Sequence, residues 1–374
     1  MDTHHSVPRE MKAIKYWALR DFSLTTLPVP EPKANEILIK VRSCGVCGTD
    51  LHIHEGDFAS RMPVVTGHET SGIVVQLGSA VTGFKLGEKV TADNSELCGP
   101  CHYCRRGQLL HCENFLGHGV HLDGGFAEYA VFPAEKLFKF SKLSWIDASL
   151  FEATSCAIHG LDQLQPQVGF KALLIGSGPT GLCLAQLLRQ NGGQHVTVAS
   201  NKGKKMNLAK KLGCGDEYIE LDRSNPEPQW EELGKKHPYG FDCVIEATGS
   251  YVVAEKAMQL VAKGGKIMYY GVYNKDALVN VSPSKIFGDE ITILGYVQDP
   301  YMVTRKDTFY VGRQTNNVRS FSQMYCLQKS VDYLESGKVK VQGIVDKTFR
   351  LEEFGDALDA IRKKQCIKAT IIMD

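Results

Sequence analysis

The apolar run Lys171-Ala172-Leu173-Leu174-Ile175 leads straight into Gly176-Ser177-Gly178-Pro179-Thr180-Gly181, and a helical period follows from Leu182 to Gln190. This succession of strand, G-x-G-x-x-G and helix constrains the fold more than any other feature of the chain. A glycine turn in that setting belongs to a βαβ unit. Its first glycine makes the turn, its second lets the backbone approach a pyrophosphate, and its third packs helix on sheet. The helix N-terminus adds positive potential where phosphates would lie. Gly176, Gly178, Pro179, Thr180 and Gly181 are therefore candidate dinucleotide-binding residues. Downstream, strand patterns at 196–200, 241–246, 265–270 and 291–294 alternate with helical ones at 204–212 and 253–261. That alternation predicts an α/β fold with a doubly wound parallel sheet.

The N-terminal part reads differently. Short alternating strands at 37–42, 72–78, 87–91 and 126–132 predict a β-rich barrel or sandwich with long loops. The final stretch, with helices at 330–335 and 354–362 and a strand at 369–372, is too small to fold alone. It is expected to return to the first domain. Residues 302–322 are polar and without a period, and read as a mobile insertion that the fold does not need.

Lys+Arg 43 against Asp+Glu 42 leaves a net charge of +1, so nothing electrostatic points to nucleic acid or an anionic membrane. No apolar run is long enough to span a membrane and the N-terminus lacks a signal-peptide core. Twelve cysteines, several of them ligand-like, suit a reducing and cytoplasmic compartment.

Cys98, Cys101, Cys104 and Cys112 are spaced C-x2-C-x2-C-x7-C, with Gly99 and Pro100 to curl the backbone. The pattern predicts a closed four-thiolate zinc site, which holds structure and does no chemistry. A second candidate is scattered. Cys47-Gly48-Thr49-Asp50-Leu51-His52 and Gly67-His68-Glu69 together offer thiolate, imidazole and carboxylate, a ligand set for zinc with one position open. Cys44 and Cys47 could alternatively form a C-x-x-C redox pair. About 20 residues after the glycine motif, where an acid usually holds a ribose hydroxyl, stands Ser200, followed by Asn201, Lys202 and Lys205. A hydroxyl, an amide and lysines can donate to a 2′-phosphate that an acid would repel, so NADP is expected in preference to NAD, with dual use as the alternative.

These residues, with Asp123-Gly124-Gly125-Phe126-Ala127-Glu128-Tyr129 and Glu246-Ala247-Thr248-Gly249, make a pattern that resembles the zinc-dependent medium-chain dehydrogenases over nearly the full length. The likeness is greatest to the polyol branch, and within it to the fungal D-arabinitol enzymes. The resemblance implies a GroES-like catalytic domain over 1–153 and 295–374, interrupted by a Rossmann domain over 154–294. It implies two Zn2+ per subunit, with Cys47, His68, Glu69 and Glu152 at the catalytic ion. It further implies Thr49 and His52 as a proton relay, Asp50 as the acid that fixes the histidine tautomer, and Thr248 in the cofactor site. The expected activity is hydride transfer between NADP(H) and a polyol/ketose pair, by a homodimer or homotetramer. The polar tract Ala92-Asp93-Asn94-Ser95-Glu96 suggests hydrogen bonds to extra substrate hydroxyls. Two alternatives are a reductase of simpler alcohols or aldehydes and a structural or regulatory family member; the ligand residues speak against the second.

Overall fold

The computed structural model describes residues 7–274, 276–296 and 323–374; the proposed insertion at 302–322 lies outside them. Six strands form one parallel sheet in the order Glu217–Leu221, His195–Asn201, Lys171–Ile175, Phe241–Glu246, Val261–Tyr269, Thr292–Gly295. The chain order reverses between Lys171–Ile175 and Phe241–Glu246, so a crevice opens at their C-terminal ends, where Ala247 N donates to Ile175 O at 2.8 Å. In doubly wound sheets ligands bind at this switch point.

A second, seven-stranded sheet is built mainly of antiparallel pairs around the long strand Glu36–Val46. On one side of that strand lies Glu69–Leu77, with Gly45 opposite Glu69. On the other lies the C-terminal strand Lys368–Ile372, with Thr370 opposite Gly45 and Ala369 opposite Val46. The end of the chain is thereby set against the segment that leads into Cys47. A smaller sheet pairs Asp21–Pro28, Glu10–Ala18 and Val64–Val65.

Between the sheets runs the helix Phe151–Leu164, which the sequence reading did not resolve. Nearly all its side chains are buried, and the buried set includes Glu152, Thr154 and Ser155, which blur its apolar period. It packs with Pro179–Gln190 and Gln323–Glu335 in the largest core, among Phe151, Ile158, Leu161, Leu184, Leu187 and Leu327. Each such side chain contributes about 1.5–3 kcal/mol on burial. Among the described residues no helix is long and apolar enough to cross a membrane.

Candidate active site

Cys47 caps the helix Gly48–Glu55, and its backbone N–H donates to Asp50 Oδ2 at 2.8 Å. Asp50 is buried, and its other oxygen faces His68 Nδ1 at 3.7 Å. One carboxylate thus spans the thiol-bearing turn and the imidazole and leaves His68 Nε2 for a ligand, the arrangement that orients metal-binding histidines. Burial by itself would lower the His68 pKa, but Asp50 and the Cys47 sulfur outweigh it and hold it well above its ordinary value.

Cys47, His68 and Glu69 bring their ligand atoms within 4.8 Å of one another. Glu69 also meets Lys368, whose Nζ lies 2.8 and 2.6 Å from its two oxygens. Both side chains are almost fully buried, and Lys368 is held above its usual pKa: burial opposes the charge, but Glu69 and then Cys47 favour it. Gly45 makes this possible, since a Cβ there would stand 1.8 Å from Glu69 Oε2. Glu152, on the buried helix, stands beside this trio rather than inside it. Cys156 Sγ contacts its Oε1 at 3.2 Å, and its Oε2 has no hydrogen-bond partner. Burial and then the Glu69 charge push the Glu152 pKa up.

The donor set fits a divalent cation. Three buried carboxylates, Asp50, Glu69 and Glu152, and the Cys47 thiol share the region with Lys368 and His68, so acidic groups outnumber basic ones and a divalent ion would redress the balance. Thr49 Oγ1 is 3.7 Å from Cys47 Sγ, and His52 lies one turn on with its ring 40% exposed and Nδ1 3.6 Å from Asp57 Oδ2. Cys44, by contrast, is buried against Thr70 Oγ1 at 3.7 Å, and burial raises its pKa, so it is a poor redox partner for Cys47.

The four cysteines of the loop also gather within 4.8 Å. Cys112 Sγ lies 3.5 Å from Cys98 Sγ, and the Cys104 N–H donates to Cys101 Sγ at 3.4 Å. That backbone N–H is the main reason the Cys101 pKa is lowered, to about 6, whereas that of Cys104 is pushed up to about 12 by burial and its sulfur neighbours. Successive thiolates crowded this way need a compensating cation. None of the twelve cysteines is joined in a disulfide.

At the switch point Gly178 caps the helix Pro179–Gln190 with Pro179 in its first turn, and a Cβ on Gly178 would meet only open space. Gly181 presses the helix onto the turn: a Cβ there would stand 2.3 Å from Gly176 O. Ser177 Oγ donates to Ser200 Oγ at 2.7 Å, tying the glycine turn to the next strand. That strand runs one residue past Ser200, to Asn201. Thr248 is held by the fully buried Glu246, which also receives the Gly249 N–H at 3.1 Å and the Tyr273 hydroxyl. Lys202 and Lys205 are exposed. The Lys205 pKa is lowered, first by desolvation and then by the Lys364 charge, with Arg223 adding to this and Cys366 and Asp346 opposing it.

The polar tract is a departure from expectation. Asp93 is buried and receives the Ser95 N–H and hydroxyl at 2.9 and 2.7 Å and Lys136 Nζ at 3.3 Å. Glu96 pairs with His118 Nε2 at 2.9 Å. Asp93, Ser95 and Glu96 are thus engaged with protein partners and not turned toward a substrate. Sequence reasoning also missed Lys368, Lys364 and Lys136, none of which carries a local motif.

Residues 33–142 match the alcohol dehydrogenase GroES-like domain family, and residues 179–304 match the zinc-binding dehydrogenase family. The chain is 44% identical to D-arabinitol dehydrogenase 1 of Uromyces fabae over 98% of each protein. A zinc-binding dehydrogenase from Sinorhizobium meliloti 1021, bound to NADP, superimposes with a TM-score of 0.84 at 27% identity, covering 97% of this chain and 99% of that one. An alcohol dehydrogenase from Escherichia coli CFT073 complexed with NADH gives 0.82 at 25%, covering 98% and 100%. With both matched regions in sequence order and a relative this similar end to end, the chain belongs to the zinc-dependent medium-chain dehydrogenase/reductase family, as a nicotinamide-dependent alcohol dehydrogenase of its polyol branch.

Proposed function

We propose that the enzyme oxidises a secondary alcohol of a polyol of the D-arabinitol, xylitol or sorbitol type to the ketone, and runs the reverse, with NADP as the hydride acceptor. The observation that carries the substrate class is the end-to-end likeness to D-arabinitol dehydrogenase 1. Cys47, His68 and Glu69 would hold the catalytic ion with Glu152 alongside, and Cys98, Cys101, Cys104 and Cys112 the structural one, two zinc ions per subunit. When bound, the catalytic ion supplies an electrophile that makes a carbinol hydroxyl acidic near neutral pH, and the nicotinamide accepts the hydride. Asp50 keeps His68 in one tautomer and one orientation. The Thr49 hydroxyl receives the substrate proton, and His52, exposed at its outer face, passes it to solvent. The turn from Gly176 to Gly181 would hold the dinucleotide, between a catalytic part (1–153, 295–374) and a cofactor part (154–294).

Ser200, Asn201, Lys202 and Lys205 would receive the adenosine 2′-phosphate, with a hydroxyl, an amide and two ammonium groups as donors. Twelve cysteines without a disulfide among them suit the cytoplasm. The exposed Tyr251, Val252, Leu278 and Phe287, in the segment leading to the edge strand Thr292–Gly295, suit a homodimer or homotetramer.

The test is kcat/KM for D-arabinitol, xylitol and sorbitol against ethanol and benzyl alcohol, with each cofactor. Polyols and NADP should win. Ser200→Asp should move the cofactor ratio toward NAD by about a hundredfold, the worth of two weakened charge-assisted bonds. Preference for the simple alcohols overturns the substrate reading, and a higher wild-type kcat/KM with NAD overturns the cofactor reading.

A further inference from the structure

At the far end of the parallel sheet from the glycine turn, three residues from three separate segments converge. His195 opens the strand His195–Asn201, Glu217 opens Glu217–Leu221, and His237 follows the helix Glu227–Lys236. Both imidazoles aim Nε2 at the same carboxylate oxygen, Glu217 Oε2, at 3.3 Å from His195 and 2.8 Å from His237. The three ligand atoms lie within 4.8 Å of one another.

We propose that His195, Glu217 and His237 form a further metal site, for a divalent transition ion of the zinc class. Zinc takes imidazole nitrogen and carboxylate oxygen at about 2.0–2.2 Å, which in a tetrahedron puts neighbouring ligand atoms about 3.4 Å apart. The observed separations from Oε2 are already close, so a side-chain shift of about half an ångström admits the ion. Each imidazole then gives up its Nε2–H hydrogen bond to the carboxylate for a bond to metal, carrying its proton on Nδ1 instead. Two nitrogens and one oxygen select Zn2+, Ni2+ or Cu2+ over Mg2+ and Ca2+, which prefer all-oxygen shells.

The backbone holds the three in place. Thr197 pairs with Glu217 across the two strands, and Thr197 Oγ1 donates to Glu217 Oε2 at 3.1 Å. His237 N donates to Leu233 O at 2.9 Å, and its ring packs on Phe241 with centroids 4.5 Å apart. The His195 side chain is 33% exposed, which leaves an ion a way in. Lys236 binds the other oxygen of Glu217, so the carboxylate is anchored from behind by a charge that also weakens cation binding. An ion here would join two strand starts and a helix end, far from the dinucleotide crevice, and would stabilise that edge without taking part in turnover.

The experiment uses the full-length, zinc-loaded enzyme after desalting, titrated with Zn2+ and with Ni2+ by calorimetry, with melting temperature followed in parallel. Wild type should bind one more equivalent than His195→Gln/His237→Gln, and its Tm should rise with added Ni2+ while the variant's does not. Both should keep the same kcat/KM without added metal. His195→Gln alone, should the double variant fold poorly, should lose at least tenfold in affinity, and Lys236→Met should bind more tightly than wild type. Equal stoichiometry and affinity in wild type and the histidine variants would mean an ion-pair hub only, and would overturn the site. Anomalous scattering at the nickel edge that locates the extra ion elsewhere would overturn it too.

Discussion

The four-cysteine loop and the Cys47 site both gather metal-ligand side chains, and they do so in opposite ways. The four-cysteine loop draws all its ligands from Cys98 to Cys112, a single curled segment whose own backbone N–H groups bond the sulfurs. The Cys47 site draws on a helix cap, the start of a strand and a separate buried helix, with a lysine from the last strand of the chain behind it. The first is uniform and closed; the second mixes thiol, imidazole and carboxylate. A uniform local set can hold an ion and little else. A mixed set built across the fold can leave a position open and tune what enters it, but it depends on the register of distant strands.

The contrast predicts different failures. Cys101→Ser should act on folding: the loop loses one of its four ligands, and structural zinc contributes on the order of 10 kcal/mol to small sites. Poor solubility or a collapsed melting transition is expected, and a variant with wild-type stability and full zinc content would show that the loop is not a metal site. Cys47→Ser should act on chemistry. The fold should persist, metal content should fall from two ions per subunit to one, and kcat/KM should drop by about a thousandfold or more, about 4 kcal/mol of transition-state stabilisation. Full activity in that variant would end the catalytic assignment.

Lys368→Met tests whether the open site rests on the C-terminal strand. It strands a buried Glu69 charge, and breaking such a pair from one side costs about 3–5 kcal/mol. Unfolding in urea should read that loss, and Lys368→Met/Glu69→Gln should regain most of it; a double variant no better than the single would break the pairing argument. The smallest effect is a pH slope. Burial, with a lesser effect from His111, lowers the His159 pKa to about 4. Below about pH 6.5 the unfolded chain takes up a proton that the native imidazole refuses, so its contribution is complete above that value and is lost as pH falls toward 4. The loss should reach roughly 3 kcal/mol and should be absent in His159→Gln; an unchanged slope in the variant would locate it in other groups.

Much of this was legible from the sequence because it is local. The helices Lys204–Leu212 and Phe354–Arg362 and the strand Phe241–Glu246 fall where their periods put them, each with a face or run that its surroundings require. The helix Phe151–Leu164 was not legible, because its buried faces carry polar residues, Glu152, Thr154 and Ser155, among the apolar ones and only His159, Asp162 and Gln163 are left partly exposed. The tract at 92–96 was misread for a related reason: polarity in sequence does not say whether a group faces a cleft or a buried partner, and Asp93 and Glu96 found Lys136 and His118.

By itself, then, the sequence determined the glycine turn, the parallel sheet it implies and the four-cysteine loop. Their physics acts between residues a few positions apart, where backbone geometry leaves few choices. Only the tertiary structure decided that Lys368 faces Glu69, that Glu152 stands beside the Cys47 trio, and that His195, Glu217 and His237 share one carboxylate oxygen. Those meetings follow from strand register and sheet order, set by the packing of whole faces, and no spacing along the chain records them.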